Sequence, residues 1–520
     1  MDRAVARVLT ALQQHETITV YGDYDVDGVT GTALLLTFFR ELGLDVPYYI
    51  PERSSEGYGL NNTAVHHLAD NGVRLLITVD CGITAVEEIA LARTLGIDTI
   101  ITDHHQPPDV LPDAYALLNP HQPACPYPNK DLCGVGVVFK FITALRAALR
   151  EANLLLDRLP NLKRHLDLAA LGTIADVTPL RDENRVLVAF GLHELTHTRK
   201  LGLQALRRVS QREGKTANTG EVGFQLAPRL NASGRLGSAA HGVALLTAND
   251  PQEATRLAQI LDAVNQERRN LQRAIEEAVH DRITRHYSGR PPAAIVLGDP
   301  AWHHGVVGIV AARIAETYHR PTILLQIEDD RARGSGRSIP AFNLYQGLQH
   351  CARWLHRFGG HKYAAGLTMD ASQVPFLQED LIRFADETLT PDDLAPTLSL
   401  DAYVHLADIT VDFMEHLERF APHGAGNPTP LLGAQAVRTV SPVRALGQHG
   451  QHARFRIAQD NVILDAIAFH QAAQVLALPS DVLVDIAFTP TINVWRGQQQ
   501  LELHIRALRL HGTASFRESH

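Results

Sequence analysis

Short apolar runs that stop abruptly at acidic or histidine residues recur through the first third of the chain. Ile18-Thr19-Val20-Tyr21-Gly22 leads into Asp23-Tyr24-Asp25-Val26-Asp27-Gly28, Leu75 to Val79 into Asp80-Cys81-Gly82, and Asp98 to Thr102 into Asp103-His104-His105. A fourth apolar stretch, Leu168 to Ala175, ends at Asp176. Between the first three, Thr32 to Leu42 and Ala85 to Leu95 carry apolar residues at helical spacing. Strands alternating with helices make a parallel sheet, in which ligands collect at the carboxyl ends of the strands. Acids and histidines at three or four successive strand ends are thereby delivered to one crevice. Carboxylate oxygens converging on a point suit hard divalent cations, so the pattern reads as a two-metal constellation in a doubly wound α/β domain.

The first acidic segment also resembles the opening of an EF-hand loop, but position 12, counted from Asp23, is Leu34 where a bidentate Glu is required. The β-branched residues before it indicate a strand entering the loop, not a helix.

The remaining pattern divides the chain into four parts. Residues 1–190 form the first α/β domain. Residues 191–287 read as helical, with Leu257, Ile260, Leu261, Val264, Leu271, Ile275, Ala278 and Ile283 on one long amphipathic segment that would connect two lobes. The turn Ser288-Gly289-Arg290-Pro291-Pro292 closes it, and Ala293 to Leu297 opens a second α/β module spanning 288–390. There Gly334-Ser335-Gly336-Arg337-Ser338 reads either as a plain turn or as a loop in which glycine admits a phosphate to donors on Ser and Arg. After the Pro-rich linker Thr390 to Pro396, residues 397–510 carry short alternating segments that suit a small β-barrel.

Composition changes this picture little. The chain has 520 residues and a net charge of −9, unlike a globally basic nucleic-acid binder. Any polyanion must therefore be met by local clusters of arginine, whose planar fork donates two hydrogen bonds at once. Only six lysines are present. Four scattered cysteines without a C-x-x-C pair read as reduced thiols of a cytoplasmic protein. No apolar run approaches the ~18 residues of a membrane span, and no secretory signal opens the chain.

Asp-Tyr-Asp-Val-Asp-Gly, Val-Asp-Cys-Gly, Asp-His-His and Ile-Ala-Asp, in this order and spacing, resemble the DHH phosphoesterase family. Ala227 to Leu236, Gly334 to Ser338, Phe358 to Gly366 and Ala421 to Pro428 extend the resemblance to the branch that degrades single-stranded DNA from its 5′ end. It implies a DHH catalytic domain, a long connecting helix, a DHH-associated domain and an OB-fold. It further implies two divalent cations, Mn²⁺ or Mg²⁺. Asp80 would bridge them, with Asp27, His104 and Asp176 completing one site and Asp25 the other. His105 would lie beside the scissile phosphate, with Asp103 orienting the histidines. Many members of the family carry His where this chain has Tyr21; a phenol is a poor ligand, so Asp23 is the alternative and this site is expected to be the weaker. Members of the branch usually carry several tens of residues more before the first strand.

Substrate contacts implied by the same motifs are Arg229, Asn231, Arg235, Ser335, Arg337 and His361, joined by Arg53 in the loop after the second strand. In the OB-like part Arg454, Arg456 and Arg496, beside Phe455 and Trp495, would combine phosphate contacts with base stacking. The expected activity is hydrolysis of single-stranded DNA 5′→3′ to 5′ mononucleotides in DNA repair and recombination, by a monomer, with a helicase and a single-strand-binding protein as partners. A phosphodiesterase of short oligonucleotides or cyclic dinucleotides is disfavoured by the C-terminal part, and a non-catalytic binding relative by the intact set of acids and histidines.

Overall fold

The computed structural model describes residues 1–53, 56–440, 442–447, 449–479, 482–495 and 498–512. Its first layers are α1 (Asp2–Gln14), β1 (Ile18–Gly22), α2 (Val26–Glu41), β2 (Tyr48–Tyr49), α3 (Asn62–Asp70), β3 (Leu75–Val79), α4 (Val86–Thr94), β4 (Asp98–Thr102), β5 (Ala116–Leu118) and α5 (Gly134–Glu151). The five strands are all parallel, in the order β2-β1-β3-β4-β5. Every residue of β1 and β3 is buried, because helices cover both faces of the sheet; this is why these strands are continuous apolar runs without alternation. The order reverses at β1, and the crevice at such a switch point lies beyond the carboxyl ends of β1 and β3, where Asp23 and Asp80 follow.

The fourth apolar stretch is not a strand. Leu166–Ala175 is helix α6, buried at every position from Asp167 to Thr173. A helix covered on all sides has no polar face, so periodicity does not separate it from a buried strand; its Leu and Ala content decides for helix. Asp176 is consequently the C-cap of a helix.

Then come α7 (Asp182–Thr196), α8 (Leu201–Val209), the single turn α9 (Thr219–Glu221), α10 (Ala227–Leu236), α11 (Ala240–Leu246) and α12 (Pro251–Tyr287). α12 starts sharply, with Pro251 in its first turn and the Asp250 side chain accepting from Glu253 N. Its first half (Leu257, Ala258, Leu261) packs into the core of the first sheet. Its second half (Ile275, Val279, Ile283) packs with α13 (His304–Tyr318) of the next module.

That module adds β6 (Ile295–Asp299), β7 (Thr322–Glu328), β8 (Arg331–Arg337), α14 (Leu344–His350), β9 (Arg357–Gly360), β10 (Ala364–Asp370) and α15 (Val374–Thr388), with strand order β6-β7-β8-β10-β9. The glycine-rich segment is strand here, not loop. A Cβ on Gly334 would meet Leu324 O at 2.5 Å, and one on Gly336 would meet Leu344 Cδ2 at 2.7 Å. These glycines therefore serve close packing, while alternation turns Arg333, Ser335 and Arg337 to the opposite face.

Residues 1–178 and 182–396 make one compact unit; residues 179–181 and 397–520 make a second. In the second, β11 (Ala402–Tyr403), α16 (Val411–Glu418), β12 (Leu432–Thr439), β13 (Arg444–Leu446), β14 (His452–Gln459), β15 (Val462–Ala468), α17 (Ala472–Leu476), β16 (Leu483–Trp495) and β17 (Gln498–Leu510) follow, the strands joined in one sheet. β12 pairs β16, which pairs β17, then β15 and β14, and β14 pairs back to β12 through Arg438–Ala458 and Thr439–Ile457. Among the described residues no helix is long and apolar enough to cross a membrane.

Candidate metal centre

Three interlocking groups of ligand atoms, each within 4.8 Å, lie at the carboxyl edge of the first sheet: Asp23, Asp25 and Asp80; Asp27, His104 and Asp176; and Asp80, His104 and His105. Asp80 and His104 each belong to two groups. His104 Nε2 lies 3.1 Å from Asp80 Oδ1, 3.7 Å from Asp27 Oδ2 and 3.8 Å from Asp176 Oδ2. The backbone supplies this convergence. Asp80 has φ +62°, a left-handed turn that Asp tolerates better than most residues. Asp25 is the N-cap of α2 and accepts from Asp27 N and Gly28 N. The amino end of α5 closes the floor: Gly134 N and Val135 N donate to Asp27 at 2.5 and 2.8 Å. Any Cβ at Gly134 would fall 2.7 Å from the Asp80 Cβ.

Tyr21 takes no part. Its hydroxyl donates to Gly59 O, and its ring stacks on Tyr49 with centroids 5.2 Å apart. Asp23, directly after β1, is the residue that reaches Asp25 and Asp80.

Asp103 accepts from the backbone N–H of Ile83, His104 and His105 and lies 2.8 Å from His105 Nδ1. Tyr58, which sequence reasoning passed over, donates its hydroxyl to Asp80 O and also lies 3.1 Å from His105 Nδ1. Asn119 holds the His105 carbonyl from β5's side. Neither Tyr58 nor the Gly134 and Val135 amides carries a compositional signal, since each acts across a long stretch of chain.

Burial, then the charge of Asp25, pushes Asp23 up to about 8 and Asp27 to about 7. Burial, then Asp27, raises Asp176 to about 8, and burial with four neighbouring carboxylates lifts Asp80 well above the usual range. Burial, then the charge of His105, lowers His104 to about 4, which leaves a neutral imidazole ligand. Burial also opposes charge on His105, but the hydrogen bond to Asp103 and the surrounding carboxylates outweigh it, raising the ring to about 9. Asp23 Oδ1 and Asp80 Oδ1 are buried with no hydrogen-bond partner. Crowded carboxylates that resist ionisation, with lone pairs unanswered, fit divalent cations with hard oxygen and imidazole ligands.

Beside this centre a cleft of about 1280 Å³ is lined by Arg53, Arg235, His304, Arg333, Ser335 and Arg337, among others. Arg53 lies over the Tyr24 ring at 5.1 Å, and Arg337 donates to Ser335 Oγ. The other candidate contacts lie elsewhere. Arg229 is paired with Asp262 at 2.8 Å and donates to Gln225 O. Asn231 Oδ1 accepts from Val26 N and so braces the acidic loop. His361 is exposed in the turn between β9 and β10 and is not among the cleft-lining residues.

In the second unit Arg454 lies 3.5 Å from both Asp465 and Glu502, and Arg456 lies 3.3 Å from Asp465. Phe455 is a core residue. Arg496 and the Trp495 side chain lie outside the described residues.

Family comparison agrees with this layout. The DHH family N-terminal domain matches residues 17–173, the DHHA1 domain 292–387 and the RecJ OB domain 400–507. The single-stranded-DNA-specific exonuclease RecJ of Bacillus subtilis (strain 168) is 40% identical over 509 residues, covering 97% of this chain and 63% of the relative. That of Haemophilus influenzae is 35% identical, covering 97% of this chain and 89% of the relative. The crystal structure of RecJ in complex with Mn²⁺ from Thermus thermophilus superposes with a TM-score of 0.82 at 33% identity, over 99% of this chain and 72% of that one. Its Mg²⁺ complex gives 0.75 at 32% identity, over 98% and 70%. The chain spans less than two thirds of the B. subtilis relative and most of the H. influenzae one. With a sheet, a ligand set and three domain matches all in register, the chain belongs to the RecJ family of DHH proteins.

Proposed function

We propose that the protein is a metal-dependent exonuclease that hydrolyses single-stranded DNA 5′→3′ to 5′ mononucleotides. The observation that carries this reading is the ligand cluster sharing Asp80 and His104, which opens beside a cleft lined by arginines. The names of the relatives support the substrate class. Asp23, Asp25 and Asp80 would hold one cation, and Asp27, His104 and Asp176 the other, with Asp80 between them. When bound, such a pair supplies activation of water and neutralisation of charge on the attacked phosphodiester.

The chain's own groups do the rest. Asp103 keeps the His105 ring charged and oriented, so that it donates to a phosphate oxygen as negative charge develops there. Ser335, Arg337 and Arg53 hold the terminal 5′ phosphate, and Arg235 the following one, by charge-assisted hydrogen bonds. Gripping the 5′ end at a fixed distance from the cations sets both the polarity and the mononucleotide product. The second unit adds affinity for the strand. Domain limits follow as 1–190, 191–287, 288–390 and 397–510. The protein would act in the cytoplasm as a monomer in DNA repair and recombination, downstream of a helicase that exposes single strands and beside a single-strand-binding protein.

The test uses an oligonucleotide labelled at its 5′ or, separately, its 3′ end, with Mn²⁺ or Mg²⁺ and a duplex control. Immediate release of a labelled mononucleotide from the 5′ end, with the 3′ label persisting in a shortening ladder, is expected. Strands bound but left intact point to a binding protein, and cleavage of the shortest fragments alone to a small-substrate phosphodiesterase.

A further inference from the structure

Two histidines open α13 side by side, and their ring nitrogens are bonded differently. His303 is the N-cap, and its Nδ1 accepts from Gly305 N at 3.0 Å. His304 lines the cleft, and its Nδ1 is buried with no hydrogen-bond partner. A buried ring nitrogen left unmatched is costly unless a ligand supplies the missing partner.

The ring stands on a fixed support. Arg235 donates to Gly305 O at 3.3 Å, and a Cβ on Gly305 would fall 2.7 Å from Arg235 O. The amino end of α13 is therefore held closely against α10. Gly308 follows one turn later on the same face of the helix, ~5.4 Å along its axis from His304. A Cβ at Gly308 would lie 3.0 Å from Ser335 Oγ and 3.4 Å from Arg337 Nη2. The absence of a side chain there lets α13 approach this pair, and the same approach sets His304 one turn away from it.

The neighbours of His304 limit what it can bind. Its charged neighbours are Arg333 on β8 and Arg53 in the loop after β2, with His303 beside it. Arginine has donors and no acceptor. The carboxylates that line the cleft, Glu328, Asp329 and Asp330, lie at the turn from β7 to β8. Burial, then the charges of Arg333, Arg53 and His303, lowers His304 to about 4, so the ring is neutral at physiological pH. A neutral imidazole among guanidiniums can offer an N–H to an anion without adding to their mutual repulsion. A 5′-terminal phosphate presents three free oxygens and about two negative charges at neutral pH. An internal phosphodiester has an oxygen fewer and about half the charge. One more donor beside Ser335, Arg337 and Arg53 is what the extra oxygen calls for.

We propose that His304 is a specificity-determining residue that donates to the additional oxygen of the 5′-terminal phosphate and so separates phosphorylated from hydroxyl 5′ ends. The inference rests on that phosphate being held by Ser335, Arg337 and Arg53 as proposed for the exonuclease. Its test uses oligonucleotides labelled at the 3′ end that carry either a 5′ phosphate or a 5′ hydroxyl. Their affinities for the full chain are measured in EDTA by fluorescence anisotropy. The wild-type protein should prefer the phosphorylated strand at least about 100-fold, through several charge-assisted hydrogen bonds. His304→Ala should cut that preference about tenfold. His304→Gln keeps a donor and should recover part of it. A general loss of structure would lower both affinities together and leave their ratio alone. Arg337→Ala is the reference variant. If it abolishes the preference while both His304 variants keep the wild-type ratio, the role of His304 is overturned and the grip on the terminal phosphate stands. If Arg337→Ala keeps the ratio too, or the wild-type protein shows no preference, the grip itself fails and the inference falls with it.

Discussion

Arginines line the cleft of the first unit and lie along β14 of the second, but their partners differ. Arg53, Arg235 and Arg337 enter no ion pair among the described residues. Burial, then the charges of Arg53, Arg268 and Arg337, pulls the Arg235 guanidinium down to about 10. Arg337 is lowered as well, by burial and by Arg53. In the second unit, Arg454 and Arg456 are already neutralised by Asp465 and Glu502. Cations crowded together without counter-charges are unfavourable in the free protein and favourable only around an anion. The difference shows why a net charge of −9 says little about affinity for DNA: what counts is where positive charge is left uncompensated.

The sharpest division is between binding and chemistry. Asp80→Asn removes the carboxylate shared by two ligand groups and should lower turnover by at least ~10³-fold. Oligonucleotide affinity, measured by fluorescence anisotropy, should change little, because the cleft arginines are untouched. Arg337→Ala should do the reverse. Losing a charge-assisted hydrogen bond of ~1.5–3 kcal/mol should weaken binding about 10- to 100-fold and reduce the salt slope by about one. Equal losses of binding in both variants would break the separation between centre and cleft.

The acidic centre is unfavourable without its counter-charge just as the cleft is, but in pH. Asp23, Asp27 and Asp176, at about 8, 7 and 8, lie above the ordinary carboxylate value. Between about pH 4 and 8 the cation-free native state therefore holds more protons than the unfolded chain, and stability falls as pH rises. His105, raised to about 9, acts in the same direction above its ordinary value. His104, lowered to about 4, opposes the trend below about pH 6.5 as a single group. In EDTA the melting temperature should drop by several degrees from about pH 6 to about pH 8. With Mn²⁺ the drop should disappear, and metal affinity should increase over the same interval. A melting temperature that rises with pH in EDTA would show that the carboxylates are ionised without help. The same titration tests the two sites against each other. The group built on Asp23 and Asp25 has no imidazole and is expected to fill at higher metal concentration than the group built on His104.

Much of the centre was legible because its strands are covered on both faces: β1, β3 and β4 had to be apolar until the point where they meet the crevice, and the acids mark that point. Legibility ended where two structures share one pattern. Leu166–Ala175 is equally apolar as buried strand or buried helix, and Gly334 and Gly336 suit either a phosphate loop or a closely packed strand. It ended too where the contribution is a backbone amide, as with Gly134 and Val135 on Asp27, or a partner distant in sequence. Arg229 occupies a family motif, yet only the fold reveals Asp262 beside it.

The smallest expected effect bears most directly on the comparison. Arg454 and Arg456 share Asp465, which also accepts from Gln500. Substituting either arginine alone would strip Asp465 of one of its partners, so any loss of affinity would mix removed attraction with exposed repulsion. Asp465→Asn avoids this. It keeps the shape and removes the negative charge 3.3 Å from Arg456, while Arg454 retains Glu502 at 3.5 Å. If the strand of DNA runs over this surface, affinity in the full chain should rise about two- to threefold at low salt, as expected for releasing a partly exposed ion pair of ~0.2–1 kcal/mol. The gain should fade as salt is added, within the screening set by a Debye length of ~10 Å at 0.1 M. Adding Arg456→Gln to Asp465→Asn should return affinity to the starting value, since the pair together presents no net charge. Affinity unchanged in both variants would mean that DNA does not touch this face, and the phosphate contacts of the second unit would then have to come from other residues.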